Sequence, residues 1–247
     1  MRIIISPAKK MNRDESLPWR DKPVFLEKTQ ILMEYLKGLS YGEARDLWKC
    51  NDSLAELNYC RVKEMDLHRG LTPAILSYEG IQYQYMAPAV FADKAVVYVQ
   101  ENLRILSGFY GVLKPLDGIV PYRLEMQAKA KAAGAKDLYA YWGDALYREV
   151  TSGGEHLILN LASKEYSKCI EKYLTDEDIF LTVVFGEISK GKVVQRATAA
   201  KMARGEMVRF LAENEVQDME GIKSFEGLGY RFREELSSEK EYVFLKE

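Results

Sequence analysis

The sequence contains few of the residues that form disulfides, metal sites and redox centres. Its 247 residues include only three cysteines, Cys50, Cys60 and Cys169, and two histidines, His68 and His156. The cysteines are too few and too scattered for a disulfide framework, and no C-x-x-C pair occurs, which favours a reducing compartment. The two histidines lie in unrelated contexts without an H-E-x-x-H motif, which disfavours a zinc site or a Ser-His triad. We therefore expect no metal and no cofactor.

Long apolar runs are also absent. The apolar run near the N-terminus is only Ile3-Ile4-Ile5, far shorter than the apolar core of a signal peptide. No stretch approaches the ~20 apolar residues that a membrane-spanning helix needs. The sequence therefore predicts a cytoplasmic protein with no membrane partner.

Neither sign of charge dominates, with 35 basic residues against 37 acidic ones. The total charge therefore gives no indication of a polyanionic partner. The charges are nevertheless segregated, because residues 1–13, 101–136 and 186–210 together hold 16 basic and only 5 acidic residues. If the fold brings these segments together, they form a basic cleft on an acidic body, which would attract a phosphate-bearing ligand. The alternative is a set of scattered, solvated charges.

Hydrophobic periodicity predicts a mixed α/β (α+β) fold, a single domain over residues 1–247 with helices flanking a mixed sheet. Capping boxes at Ser40–Glu43 and Ser53–Glu56 each predict a helix start. The predicted strands are 2–6, 74–78, 156–161, 179–185, 192–196, 230–232 and 242–245. The whole stretch 24–68 is predicted to be helical, with its first helix over 24–37. The other predicted helices are a short one from residue 83, 122–133 and 198–214.

The segment 186–193, GEISKGKV, matches a phosphate-binding loop only in part. In that loop a Ser or Thr follows the lysine, and a helix begins there to face the phosphates. Val193 and Val194 occupy these positions instead and favour a strand. A glycine-bearing hairpin turn is the better interpretation.

The segment 116–121 is similar to the hairpin of a helix-hairpin-helix motif. In that motif a glycine-bearing turn exposes backbone amides that hold a DNA phosphate without reading bases. Gly118 lies in the predicted turn. Pro121 is well placed at the first helical position, and the predicted helix continues over 122–133. The alternative is an ordinary loop, since Val120 replaces the second glycine of the motif.

Charged, aromatic and hydroxyl side chains of the basic segments form the candidate site. Acids and bases beside arginines suit proton transfer on a phosphorylated or nucleotide-like substrate. The alternative is a structural ion-pair network behind a binding cleft. The candidate acid and base groups are Ser6, Glu125 and Asp144. The residues expected to bind DNA are Lys9, Lys114, Gly118, Tyr122, Arg123, Lys129, Lys201 and Arg204.

Seven blocks of sequence resemble the YaaA family of bacterial peroxide-stress proteins. The resemblance runs from the first strand to beyond residue 229 and covers nearly the whole chain. It implies a single α/β unit, a helix-hairpin-helix element in a positively charged cleft, affinity for duplex DNA, and a role in limiting free iron and damage during peroxide stress. The blocks are ISPAK (5–9), LSGFYGVLKPLD (106–117), PYRLEM (121–126), KDLY (136–139), YWGD (141–144), NLAS (160–163) and ARG (203–205).

Two hypotheses about function follow. The first is binding of double-stranded or structured DNA through phosphate contacts, with little sequence preference. The second is an enzyme that acts on a small phosphorylated, nucleotide-like molecule in the same cleft. Direct reduction of peroxide is disfavoured, because the three cysteines are not spaced as peroxidatic and resolving partners. The sequence does not indicate an oligomeric state.

Overall fold

The structure, a computed structural model, describes residues 1–247 and consists of short strands and helices around one central sheet. None of the helices is both long enough and apolar enough to cross a membrane. The helices are α1 (Leu26–Gly38), α2 (Tyr41–Trp48), α3 (Asp52–Glu64), α4 (Ala74–Ser77), α5 (Ile81–Met86), α6 (Asp93–Asn102), α7 (Leu138–Trp142), α8 (Ala145–Val150), α9 (Lys164–Glu171), α10 (Ala197–Glu213) and α11 (Met219–Lys223). The strands are β1 (Arg2–Ile5), β2 (Lys10–Met11), β3 (Thr72–Pro73), β4 (Tyr78–Glu79), β5 (Leu103–Ser107), β6 (Gly111–Leu113), β7 (Gly118–Ile119), β8 (Leu157–Asn160), β9 (Ile179–Ser189), β10 (Lys192–Val194), β11 (Tyr230–Phe232) and β12 (Glu241–Lys246).

A mixed sheet of eight strands forms the centre of the molecule. Its order is β11-β12-β9-β8-β1-β5-β6, with β10 paired to β9. β1 lies between two parallel neighbours, β5 and β8, and its residues Ile3, Ile4 and Ile5 are fully buried. A parallel strand that is covered on both faces requires such an uninterrupted apolar run. The α/β fold class predicted from the sequence is confirmed.

The long helix α10 packs most closely against α5. A Cβ atom on Gly205 would lie 2.1 Å from the backbone oxygen of Gln82, so that only glycine allows the two helix backbones to approach this closely. The approach places Arg204, the preceding residue of α10, beside α5. The sheet and the surrounding helices share one hydrophobic core of 62 buried residues.

Most strands and helices lie where the sequence predicts them. The predicted strands at 2–6, 156–161 and 179–185 correspond to β1, β8 and β9. The glycine-bearing turn after Ser189 joins β9 to the antiparallel β10, and β11 pairs antiparallel with β12 as expected. The capping box at Ser40 is present, with both of its hydrogen bonds formed.

Two local predictions are wrong. Residues 74–78 are predicted as a strand, but Ala74–Ser77 forms the short helix α4. The backbone amides of Ala74 and Ile75 donate to the carbonyls of Asp117 and Pro115. Hydrogen bonds to this loop, and not pairing with a neighbouring strand, therefore fix the conformation of the segment. The other wrong prediction is the capping box at Ser53. The helix α3 already begins at Asp52, and the side chain of Asn51 caps it by accepting a hydrogen bond from the amide of Leu54.

The helix-hairpin-helix prediction for residues 116–121 is also wrong. The turn contains β7, which pairs antiparallel with β3, and residues 122–131 form no helix. Tyr122, Leu124 and Met126 are buried while the residues between them are partly exposed. Burial of every second residue requires an extended chain, and this packing outweighs the helix propensity of the segment.

Replacing Gly205 with alanine tests the close approach of α10 and α5. Because the new Cβ would collide with the Gln82 carbonyl, we expect overpacking to cost about 1–3 kcal/mol of unfolding free energy. Gly42→Ala in α2 is the matched control, since nothing lies within 4 Å of its added Cβ, and it should stabilise by about 0.5–1 kcal/mol. Urea unfolding measures both changes; equal stability of the two variants would refute the close approach.

Candidate functional site

The carboxyl ends of the central parallel strands open onto a cleft. The chain proceeds from β1 to β5 on one side and later to β8 on the other side. The position between them is a topological switch point, where α/β proteins bind ligands. The cleft has a volume of about 410 Å³. Its walls are residues 6–10 after β1, 79–83 around the start of α5, 122–125, Ser163, Glu165 and Tyr166 after β8, and Lys201 and Arg204 of α10.

Three hydrogen-bond donors on the cleft wall are buried without a partner. They are Nε of Arg123, Nε of Arg204 and Nε2 of Gln82. The Arg123 side chain is 10% exposed, and Gln82 is 7% exposed. Burial lowers the pKa of Arg204. A buried donor without a partner costs about 1–3 kcal/mol.

Two carboxylates of the cleft have different environments. Glu125 contacts Nζ of Lys9 at 2.8 Å and a guanidinium nitrogen of Arg123 at 3.5 Å. Glu165, in the first turn of α9, accepts a hydrogen bond from the amide of Gln127 at 3.2 Å. Burial, reinforced by the charge of Glu125, raises the pKa of Glu165 above its ordinary value. Glu125 therefore lies beside two cations, whereas Glu165 is held by a backbone amide in a partly buried position.

The hydroxyl groups of the cleft hold its walls together. Ser6 Oγ donates to Ser163 Oγ at 3.1 Å and accepts from the Ser163 amide at 2.8 Å, which joins the end of β1 to the start of α9. Tyr83 donates to the Ser6 carbonyl at 3.0 Å. The Tyr122 hydroxyl lies 2.6 Å from Ser107 Oγ, and burial raises its pKa to about 12. Tyr122 therefore remains protonated at neutral pH and is not a base.

The structure brings seven of the predicted site residues to this one cleft, from all three basic segments. Among the other residues that line the cleft, which the sequence analysis did not name as site residues, are Gln82, Ser163 and Glu165. Of these, Ser163 was the easiest to identify from the sequence, because it follows a predicted strand and precedes a helix. The predicted residues that line the cleft are Ser6, Lys9, Tyr122, Arg123, Glu125, Lys201 and Arg204.

Lys114 and Gly118 lie elsewhere. Lys114 lines a separate cavity of 80 Å³, where its amide donates to the carboxylate of Asp117 at 2.9 Å. Burial raises the pKa of Asp117 to about 7. Gly118 packs beneath the ring of Trp19, which a Cβ would approach to 3.0 Å. Neither residue has an amide or side chain in the cleft, so the proposed phosphate contacts of the hairpin have no structural support.

Lys129 and Asp144 also lie outside the cleft. Lys129 is exposed and follows the turn at residues 126–128. Asp144 precedes α8 and forms an ion pair with Arg148 one turn later. Asp144 is therefore part of a local helix-end pair, and the acids that line the cleft are Glu79, Glu125 and Glu165. No group of three His, Cys, Asp or Glu side chains in the structure could hold a metal ion.

A second basic surface lies next to the cleft, on the other side of residues 120–125. We call it the arginine groove; it has a volume of about 590 Å³ and contains Arg13, Arg61 and Arg69. Burial together with the charge of Arg13 lowers the pKa of Arg61. Asp66 forms an ion pair with Arg69 at 3.5 Å. Glu64 also lines the groove, so its three basic residues exceed its acidic ones by one.

Comparison with known proteins identifies the family. A family model described as peroxide stress protein YaaA matches residues 1–236. A UPF0246 protein of Desulfitobacterium hafniense is 56% identical over 247 residues, which cover 100% of this chain and 98% of that relative. A UPF0246 protein of Agathobacter rectalis is 55% identical over 245 residues, which cover 99% of this chain and 98% of that relative. As its sequence blocks predicted, the chain belongs to the family of the peroxide stress protein YaaA.

Proposed function

We propose that the cleft binds a small phosphorylated, nucleotide-like molecule and that the protein is an enzyme acting on it. The observation that carries this proposal is the convergence of five basic side chains, Arg123 and Arg204 among them, on one cleft of about 410 Å³. A phosphate group supplies several strong acceptors and negative charge at once, and the planar guanidinium matches its geometry. Binding would therefore give these cations an anionic partner.

The size of the cleft supports a small ligand. Its volume of about 410 Å³ lies within the ~300–1,000 Å³ of typical small-molecule sites. A DNA duplex carries its phosphates on the outside of a wide rod, which would not enter a cleft of this size. Arg123 and Arg204 are partly buried at the cleft wall, where a free phosphate group would reach them and a duplex would not.

The two carboxyl groups suggest the chemistry. Glu165, whose pKa is raised by burial, lies on the same cleft as Glu125, which contacts Lys9 and Arg123. This pairing suits general acid–base catalysis at a bond near the phosphate. Ser6 would act by positioning the start of α9 and not as a nucleophile, since Ser163 engages its hydroxyl.

A second candidate function, the binding of duplex DNA, is favoured by the arginine groove. Arg13 and Arg61 are neighbouring cations on an open surface, and Lys9 on the adjacent cleft rim is 66% exposed. Such groups would contact phosphates without reading bases. In this proposal the protein works in the cytoplasm. Its bound ligand or its bound DNA would connect it with limiting free iron and oxidative DNA damage.

Replacing Arg204 with methionine tests the ligand proposal. Without ligand, we expect a higher melting temperature, by about 2–4 °C for each kcal/mol of relieved burial cost, because the unpaired guanidinium is gone. Adenosine monophosphate at about 100 times its Kd should stabilise the wild type by about 2.7 kcal/mol and the variant far less. Arg148→Met, at an exposed ion pair, is the control and should keep the full ligand effect. The proposal fails if neither inorganic phosphate nor any nucleoside monophosphate stabilises the wild type.

The DNA proposal is tested by the double variant Arg13→Ala/Arg61→Ala. Binding to duplexes of different sequence should weaken about equally, and the slope of log K against log salt should fall by about 2. Lys114→Ala, outside both basic surfaces, is the control and should bind like the wild type. Fluorescence anisotropy at several salt concentrations measures this. An unchanged slope in the double variant would exclude the arginine groove as the DNA site.

A further inference from the structure

A second cavity begins on the other side of Arg204. It has a volume of about 590 Å³ and lies over β8, β9 and β12, beside α9. Arg204 lines both this cavity and the cleft, so one partly buried guanidinium borders the two spaces. It is therefore placed to contact a ligand that extends across the boundary.

The charge of the second cavity differs from that of the cleft. The cleft is lined by five basic and three acidic residues. The second cavity is lined by three of each, the acidic ones being Glu171, Asp178 and Glu241. A phosphate group is therefore attracted to the cleft, whereas the second cavity offers no net attraction for an anion.

The polar groups of the second cavity suit a ligand that carries hydroxyls. Thr182 Oγ1 accepts a hydrogen bond from Asn160 Nδ2 at 3.2 Å, so its own hydrogen remains free to donate. Gln195 offers an amide donor and an amide acceptor, and Glu241 offers a carboxylate acceptor. Hydroxyl groups are both donors and acceptors, and they match this mixed set better than an apolar or anionic group would.

We propose that the ligand is a sugar phosphate, free or as part of a nucleotide, with its phosphate in the cleft and its hydroxyl-bearing sugar in the second cavity. Arg204 would contact the ligand where the two parts join. This inference rests on the proposed function of the cleft and adds the substrate class. It also assigns Thr182 and Gln195, which lie outside the cleft, as residues that determine specificity.

Isothermal titration calorimetry on the 247-residue chain tests this assignment with four probes. Inorganic phosphate tests the cleft alone, n-pentyl phosphate adds a chain without hydroxyls, and ribose 5-phosphate adds the sugar. Adenosine monophosphate, compared with ribose 5-phosphate, distinguishes a free sugar phosphate from a nucleotide. We expect ribose 5-phosphate or the nucleotide to bind at least about tenfold more tightly than pentyl phosphate, because two or more hydrogen bonds are added.

The variants Thr182→Val and Gln195→Ala remove single polar groups from the second cavity. Each should weaken ribose 5-phosphate by about five- to tenfold and leave inorganic and pentyl phosphate within about twofold. Both positions are at least partly exposed, so the variants should fold, and unchanged binding of inorganic phosphate confirms that they do.

The outcomes separate the two proposals. If inorganic and pentyl phosphate bind but the sugar adds no affinity, the substrate class is wrong and the phosphate-binding function of the cleft stands. The same holds if ribose 5-phosphate binds tightly but neither variant weakens it. If none of the phosphates binds the wild type, the proposed function itself is wrong.

Discussion

The structure depends on holding two arginine side chains within the protein at the carboxyl edge of the sheet. Arg204 reaches this position because Gly205 lets α10 approach the backbone of α5, and Arg123 because residues 122–126 are extended and partly buried. Neither guanidinium has all its donors paired. A folded chain tolerates such a cost where binding recovers it, and strained or unsatisfied groups therefore concentrate at functional sites.

The basic residues of this chain serve two different surfaces. In the cleft, Lys9 is paired with Glu125 and Lys10 with Glu79, while Arg123 and Arg204 are partly buried beside a space that fits a small molecule. In the arginine groove, Arg13 is exposed and Arg61 is partly buried. A net charge of only −2 conceals both, because segregation of charge and not its total creates local positive potential. The family's association with peroxide stress is compatible with either surface.

Sequence patterns predicted much of this fold and part of its site. The Ile3-Ile4-Ile5 run identified the central strand, and charge segregation identified the segments that meet in the cleft. Predictions from local propensity were wrong where contacts with distant residues determine the backbone conformation. One case is Ala74, whose amide donates to the carbonyl of Asp117. The other is residues 122–126, where buried and partly exposed side chains alternate. Gln82 carries no signal in the sequence, since its role comes from the packing of α10 on α5.

The most direct test of the account is a crystal structure of the protein soaked in tungstate, an electron-dense analogue of phosphate. The account predicts an anomalous-scattering peak in the cleft, with oxygens within hydrogen-bonding distance of Arg123, Arg204 and Gln82. A peak confined to exposed lysines or to the arginine groove, with the cleft empty at saturating tungstate, would contradict it.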